Sequence, residues 1–399
     1  MMKRNILLLS FLLSIQVSAT VPHKVVIPDV PGYVTLKGDF HVHTVVSDGR
    51  TWPSESVDEA EYDCLDFVSI TDHLDTGHLN LQEIWGARVD RNSGYEIAAK
   101  QGKKNGVLVI HGAELSRGLH ILPGHFGTQF ISDAGPIAEA AEKHDGKYKD
   151  KQTQEENAIL DGLREARAQN SFTIWNHPDW KSQAPNETLW WPIHTKLYDE
   201  GLIQGIEIVN RLTGYCPEAF HWAVEKNLAI VSGTDAHEPM YQLVDYEKGD
   251  FRPMTLVFAK ERSVAGIREA LESHRTAVFC DGSVYGSEEN IKPLLEACIE
   301  ITSIKFSEKM VTVRYRNNSS IPIVLTKAPG SENVAYSRLI HVNAGEQASL
   351  GFYCLDRNKP FDLEEFDVNF FVENWLTDAD TPLRVSYHIV VPEQYRAKY

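Results

Sequence analysis

Between residue 33 and about residue 280, short β-branched apolar runs alternate with stretches whose apolar positions recur at helical spacing. The runs are 33–41, 66–71, 107–114, 172–176, 205–209, 228–232 and 255–259. Helical spacing marks 54–62, 93–104, 155–169, 217–226 and 263–274, several of them opening on Ser or Pro. Seven strands alternating with helices predict parallel strands joined by crossover helices. A closed α/β barrel is expected rather than an open sheet. Nearly every strand ends in polar residues, and no glycine fingerprint for a dinucleotide occurs. In such barrels the active site lies at the C-terminal ends of the strands.

After about Ile291 the rhythm changes. Residues 312–316 alternate with period two, and 339–342, 366–371 and 385–391 do so more loosely, with turn signals between them. This pattern predicts a small antiparallel β-sandwich over 291–399. At the other end, Met1 to Arg4 supply positive charge, 6–15 are apolar, and Val17-Ser18-Ala19 offers small residues. Residues 1–19 therefore read as a cleavable signal peptide, leaving a barrel over 20–290. The chain is expected to be exported, to the periplasm or the extracellular space, with no membrane anchor.

Composition narrows the partners. With 39 Lys+Arg against 56 Asp+Glu the net charge is −17. That argues against a broad grip on nucleic acid, which needs a basic surplus. The five cysteines are scattered and odd in number, so no disulfide scaffold is expected; Cys298 with Cys354 is the one pairing worth checking.

Fourteen of the 16 histidines precede residue 290, many at predicted strand ends. In His41-Val42-His43, side chains two apart on an extended strand point the same way and can grip one cation. Asp48-Gly49 adds a carboxylate in the following loop. Later strands end in Thr71-Asp72-His73, Gly112-Ala113-Glu114, Asn176-His177-Pro178 and Thr234-Asp235-Ala236-His237, and His125 follows Glu114 by eleven residues. Imidazoles and carboxylates delivered together to one barrel face suit Zn²⁺, Mn²⁺ or Fe²⁺.

In order and in type, these motifs resemble the PHP superfamily, named for polymerase and histidinol phosphatase, over about residues 32–282. The resemblance implies a distorted seven-stranded (βα)7 barrel holding two or three divalent metals. It places His41, His43, Glu114 and Asp235 on a first metal. Glu114 would bridge to a second, completed by His125 and His177. Asp48, His73 and His237 would hold a third. The leader and the β-rich C-terminal part are similar to a secreted two-domain bacterial subgroup that includes phosphodiesterases.

Such a centre would be a positive focus in an acidic protein, able to draw in a small phosphate ester. A hydroxide between the metals would attack phosphorus, with Glu114 and Asp235 as the catalytic carboxylates. Asp72 and Glu207 are candidates to orient ligand imidazoles. Arg50 and Arg117 could clamp phosphate, and Trp180, just past His177, could face an ester group. The expected function is a secreted metal-dependent phosphoesterase of mono- or diesters. The alternative is a binding protein whose sandwich takes glycans and whose barrel metals are structural. A complete set of donors favours the enzyme.

Overall fold

The computed structural model describes residues 24–74, 90–183, 187–356, 359, 361 and 363–396. The leader expected at 1–19 lies outside the described residues. Strand β1 (Val34–Asp39) pairs in parallel with β2 (Phe67–Ile70), and β2 with β3 (Leu108–Arg117). Next, β4 (Gly124–Gln129) runs antiparallel to β3 and to β5 (Phe172–Trp175). The sheet continues in parallel to β6 (Gly205–Asn210), which carries the short antiparallel β7 (Gly214–Tyr215) and then pairs in parallel with β8 (Ala229–Gly233). Strand β9 (Met254–Ala259) lies antiparallel to β1, followed by the antiparallel β10 (Thr276–Cys280) and β11 (Ser283–Gly286).

Two expectations need correction here. The reading with parallel strands throughout missed β4 and misassigned β9. Only a short turn joins β3 to β4, and only a single helical turn and a 3₁₀ turn lie between β8 and β9. Neither connection supplies the crossover helix that a parallel pair requires.

The helices form for local reasons. Lys151–Ala168 begins earlier than its pattern suggested because Asp150 caps it, accepting from Thr153 N at 2.9 Å. Ser263 caps Val264–Glu272 by accepting from Gly266 N, and that helix buries Ile267, Ala270 and Leu271 on the sheet. Pro53 and Pro217 start their helices at positions that have no intrahelical donor duty.

The C-terminal part contains β12 (Ile299–Phe306), β13 (Met310–Asn317), β14 (Ile323–Lys327), β15 (Val334–Ala335), β16 (Leu339–Val342), β17 (Gln347–Cys354), β18 (Glu365–Asp378) and β19 (Thr381–Val390). Strands β12, β13, β17 and β15 form a separate antiparallel sheet. The other four pair antiparallel among themselves but also extend the large sheet, because β18 runs parallel to β11 at Val284↔Trp375 and Tyr285↔Leu376. The second region thus does not stand apart. One hydrophobic cluster runs from Val42 and Val57 to Trp375 and Val391. No disulfide forms among the five cysteines, all of them described, so Cys298 and Cys354 are not joined. No described helix is long and apolar enough to cross a membrane.

Candidate metal centre

The strand ends converge. His43 N donates to Ala236 O at 3.1 Å and Asp235 N to His41 O at 2.9 Å, tying the end of β8 to the end of β1. Thr71 N donates to Val42 O, Glu114 N to Asp72 O and Asn176 N to His125 O, so the C-terminal parts of β2, β3 and β5 and the start of the antiparallel β4 join the same rim. His177 and Asp235 both sit at positive φ, 30° and 52°, a conformation that costs free energy and recurs at functional sites.

All nine expected donors fall in this cluster. His41 Nε2 and His43 Nε2 lie 3.0 Å apart, and Asp235 Oδ1 is 3.3 and 3.1 Å from them. The two oxygens of Glu114 look in different directions. Its Oε1 faces His41 Nε2 at 3.3 Å, His177 Nε2 at 3.5 Å and His125 Nδ1 at 3.8 Å. Its Oε2 faces His73 Nδ1 at 3.0 Å and His43 Nε2 at 3.7 Å. Asp48 lies 3.5 Å from His73 Nε2 and 3.3 Å from His237 Nε2.

The donors fall into three groups compact enough for a cation. They are His43, Asp48, His73 and His237; His41, Glu114 and His177; and His41, His43 and Asp235. This division differs in part from the one the resemblance implied, since His43 adjoins the Asp48 group and His125 stands beside the second. The donor set fits divalent metals on the structure's own terms. His43 Nδ1 is buried with no hydrogen-bond partner among the described residues, 3.9 Å from Asp48. A buried polar atom without a partner is costly, and a cation nearby would relieve it.

Electrostatics tell the same story. Burial opposes ionisation of Glu114 and Asp235, yet the imidazole of His41, joined by His73 or His43, holds both well below the usual carboxylate range. Burial pushes His43 down to about 3, helped by His73 and His237, and brings His125 to about 4. His41 and His73 go the other way: nearby carboxylates overcome burial and raise them. His177 and His237 are raised in the same way, against burial, by Glu114 and Asp235 and by Asp48 and Asp235.

The supporting residues sort the remaining expectations. Glu207 reaches an imidazole: its Oε1 lies 3.3 Å from His41 Nδ1, while Oε2 accepts from His177 N and Asn210 Nδ2. Asp72 does not. It accepts from Thr44 N at 2.7 Å and Ser47 Oγ at 2.8 Å, bracing the loop that leads to Asp48. Arg117 pairs with Asp145 and Glu155 instead of turning toward the cluster. Arg50 lies on the rim, its backbone N–H donating to His237 O and its exposed guanidinium paired with Glu238 at 2.6 Å. Trp180 stands edge-on to His125 and His177 at ring-centroid distances of 5.3 and 5.4 Å.

Several partners escaped the sequence reading. Asn176 Nδ2 donates to Glu114 Oε1 at 2.7 Å, Ser116 Oγ donates to Glu114 Oε2 at 3.0 Å and lies 2.6 Å from His73 Nδ1, and the Gln183 amide lies 2.9 Å from His177 Nδ1. Asn176 and Ser116 adjoin or closely follow motif residues, the only signal they offered. Behind the cluster, Asp39 accepts from His41 N and Thr234 N and faces Arg252 Nη1 at 3.4 Å; Arg252 Nε donates to Asp63 at 2.6 Å.

No family model matches the chain, and no curated protein does. Among solved structures, it is similar to a two-domain protein from Bacteroides vulgatus containing a predicted PHP-like metal-dependent phosphoesterase. The identity is 36%, 92% of this chain and 98% of that one are covered, and the TM-score is 0.81. A candidate metal-dependent phosphoesterase from Bifidobacterium adolescentis matches at 15% identity, with 50% and 87% covered and a TM-score of 0.37. An amidohydrolase from Chromobacterium violaceum matches at 17% identity, with 51% and 88% covered and a TM-score of 0.34.

Proposed function

The chain belongs to the two-domain PHP-like metal-dependent phosphoesterases, and from that premise we propose that it hydrolyses small phosphomono- or phosphodiesters. The observation that carries this reading is the position of Glu114, whose two oxygens face separate sets of imidazoles. Divalent ions, Mn²⁺, Zn²⁺ or Fe²⁺ by the nature of the donors, would activate water and offset charge at phosphorus. Glu114 and Asp235 would hold them with His41, His43, His125 and His177, and Asp48 would do so with His73 and His237.

The remaining residues bind and orient. Glu207 accepts from His41 Nδ1–H and leaves Nε2 turned inward, and the Asp235 carbonyl does the same for His237, 2.9 Å from its Nδ1. Trp180 offers an apolar edge to an ester group, and Arg50 a cation at the rim. We read the strands around the cluster as a distorted (βα)7-type barrel over 20–290, with a sandwich over 291–399. A leader at 1–19 and export fit a scavenging role outside the cytoplasm. At a net charge of −17, extended nucleic acid is a poor partner.

The test is elemental analysis of protein produced with Mn²⁺ and Zn²⁺, followed by chromogenic mono-, di- and triesters. Two to three bound ions and chelator-sensitive hydrolysis are expected, with ¹⁸O from solvent entering the phosphate product in a single turnover. Protein without metal, or a phosphoryl group trapped on the chain, overturns the reading.

A further inference from the structure

The space between the two C-terminal sheets is apolar and only partly filled. A cavity of about 380 Å³ lies between β12, β13 and β17 on one side and β14, β16, β18 and β19 on the other. Phe352, Val368 and Phe370 are among the buried residues of its wall. Ile301 and Ile304 also line it, yet they are 53% and 45% exposed and form its lip. They flank the point where β12 slips register against β13, between Ile301 and Ser303. Such an irregularity bends an edge strand and re-aims its side chains.

A void of this size is not what a packed β core leaves behind. Water is a poor filler. Each ordered water needs two to four polar partners, and the polar residues among the described lining are Glu296, Tyr315, Tyr387 and His388. The backbones of β13 and β17 are committed to their shared ladder, as are those of β18 and β19 to theirs.

We propose that this cavity binds one small molecule with a hydrocarbon body and an uncharged or cationic head. An apolar cavity of ~150 Å³ takes up benzene, so this one would hold roughly fifteen carbon atoms. The head follows from the rim. Glu296 brings a carboxylate to the lining, while the His388 imidazole, 2.8 Å from Asp367, turns to the outer face of the sheet, opposite to the buried Val368 and Ile389. No lysine or arginine is among the described lining residues. A carboxylate head would meet Glu296 with no cation to pair it, whereas an amine or alcohol would not. The apolar wall equally disfavours a glycan, which would leave its hydroxyls without partners.

The experiment titrates the full chain with the uncharged fluorophore N-phenyl-1-naphthylamine. Saturable binding of one probe per chain is expected, displaced by dodecylamine at a concentration about tenfold lower than by dodecanoate. Leu325→Trp, which fills the cavity, should weaken probe binding at least ~10-fold, with thermal melting confirming a folded protein. Ile304→Lys, at the exposed lip, should reverse the preference toward dodecanoate, and it decides the matter if Leu325→Trp does not fold. Glu114→Gln should leave probe binding unchanged, separating this site from the metal cluster. The proposal is overturned if the wild-type chain shows no saturable binding or if both cavity substitutions leave it unaltered. Loss of probe in step with self-association, seen by light scattering, would instead assign the cavity to a second copy.

Discussion

A methyl group on Gly233 would lie 2.0 Å from Oε1 of Glu207 and 2.5 Å from Cβ of His41. The last residue of β8 is thus the gap through which Glu207 reaches the His41 imidazole. Gly49 plays a comparable part in the Asp48 loop, where a Cβ would meet the His43 carbonyl oxygen at 2.7 Å.

Gly233→Ala should therefore displace Glu207 and release His41 Nδ1. Residues that orient metal-bound imidazoles are typically worth about 10–100-fold in metal affinity. Metal titration of the variant, followed by competition with a chelating dye, should show a loss in that range. Wild-type affinity would mean that Glu207 does not act on His41.

Glu114→Gln removes the carboxylate that faces both imidazole sets. On the proposed function, kcat should fall at least ~10²-fold, about 2.7 kcal/mol of transition-state stabilisation. Cys64→Ser is the control: if water rather than a thiol attacks phosphorus, its activity stays near wild type. Near-normal hydrolysis by Glu114→Gln would defeat the proposal.

Arg252 is buried between Asp39 and Asp63. Arg252→Met would leave two buried carboxylates without their cation, directly beneath the strand ends that carry His41 and Asp235. Breaking such a pair from one side costs about 3–5 kcal/mol. Thermal denaturation should show a clear drop in Tm, and addition of metal should recover only part of it.

His194 gives a pH dependence of known sign. It is buried against Trp175, faces the Pro123 carbonyl oxygen at 2.9 Å through Nε2, and burial pushes its pKa down to about 3. Unfolding restores the ordinary value of 6.5. Below pH 6.5 the unfolded chain thus takes up a proton that the folded chain refuses. Its share of stability is complete above pH 6.5 and declines as the pH falls toward 3, with a slope approaching ~1.4 kcal/mol per pH unit. Melting curves from pH 7 to pH 4 should show a shallower decline for His194→Gln than for the wild type. Parallel declines would show that His194 titrates normally.

Chelation should lower the melting temperature as well as any hydrolysis, because ions bound only by the folded chain stabilise it by mass action. Re-addition of Mn²⁺ or Zn²⁺ should restore both. A melting temperature indifferent to chelator would place no metal in the folded protein.

Local pattern carried much of this protein. The i, i+2 histidines of His41-Val42-His43, the carboxylate of Glu114 and the Asp235-Ala236-His237 ending are legible because a strand's geometry sends alternate side chains one way. Knowing only that these sit at strand ends suffices to expect them together. The C-terminal alternation was legible for the same reason.

What the tertiary structure decided depends on neighbours remote along the chain. Glu207 is 166 residues from His41, and Arg252 is 213 from Asp39. No local spacing encodes such contacts, so Asp72 and Glu207, similar carboxylates beside similar strands, could not be told apart until their hydrogen-bond partners were known. Arg117 likewise had a phosphate role open to it until Asp145 and Glu155 engaged it. Strand direction at β4 and β9 was settled by connections that hold no crossover helix. The continuity of β18 with β11 came from apolar faces that each region leaves for the other to bury. The donors are therefore written in the sequence; their pairing, charge state and support exist only once burial has chosen which groups meet.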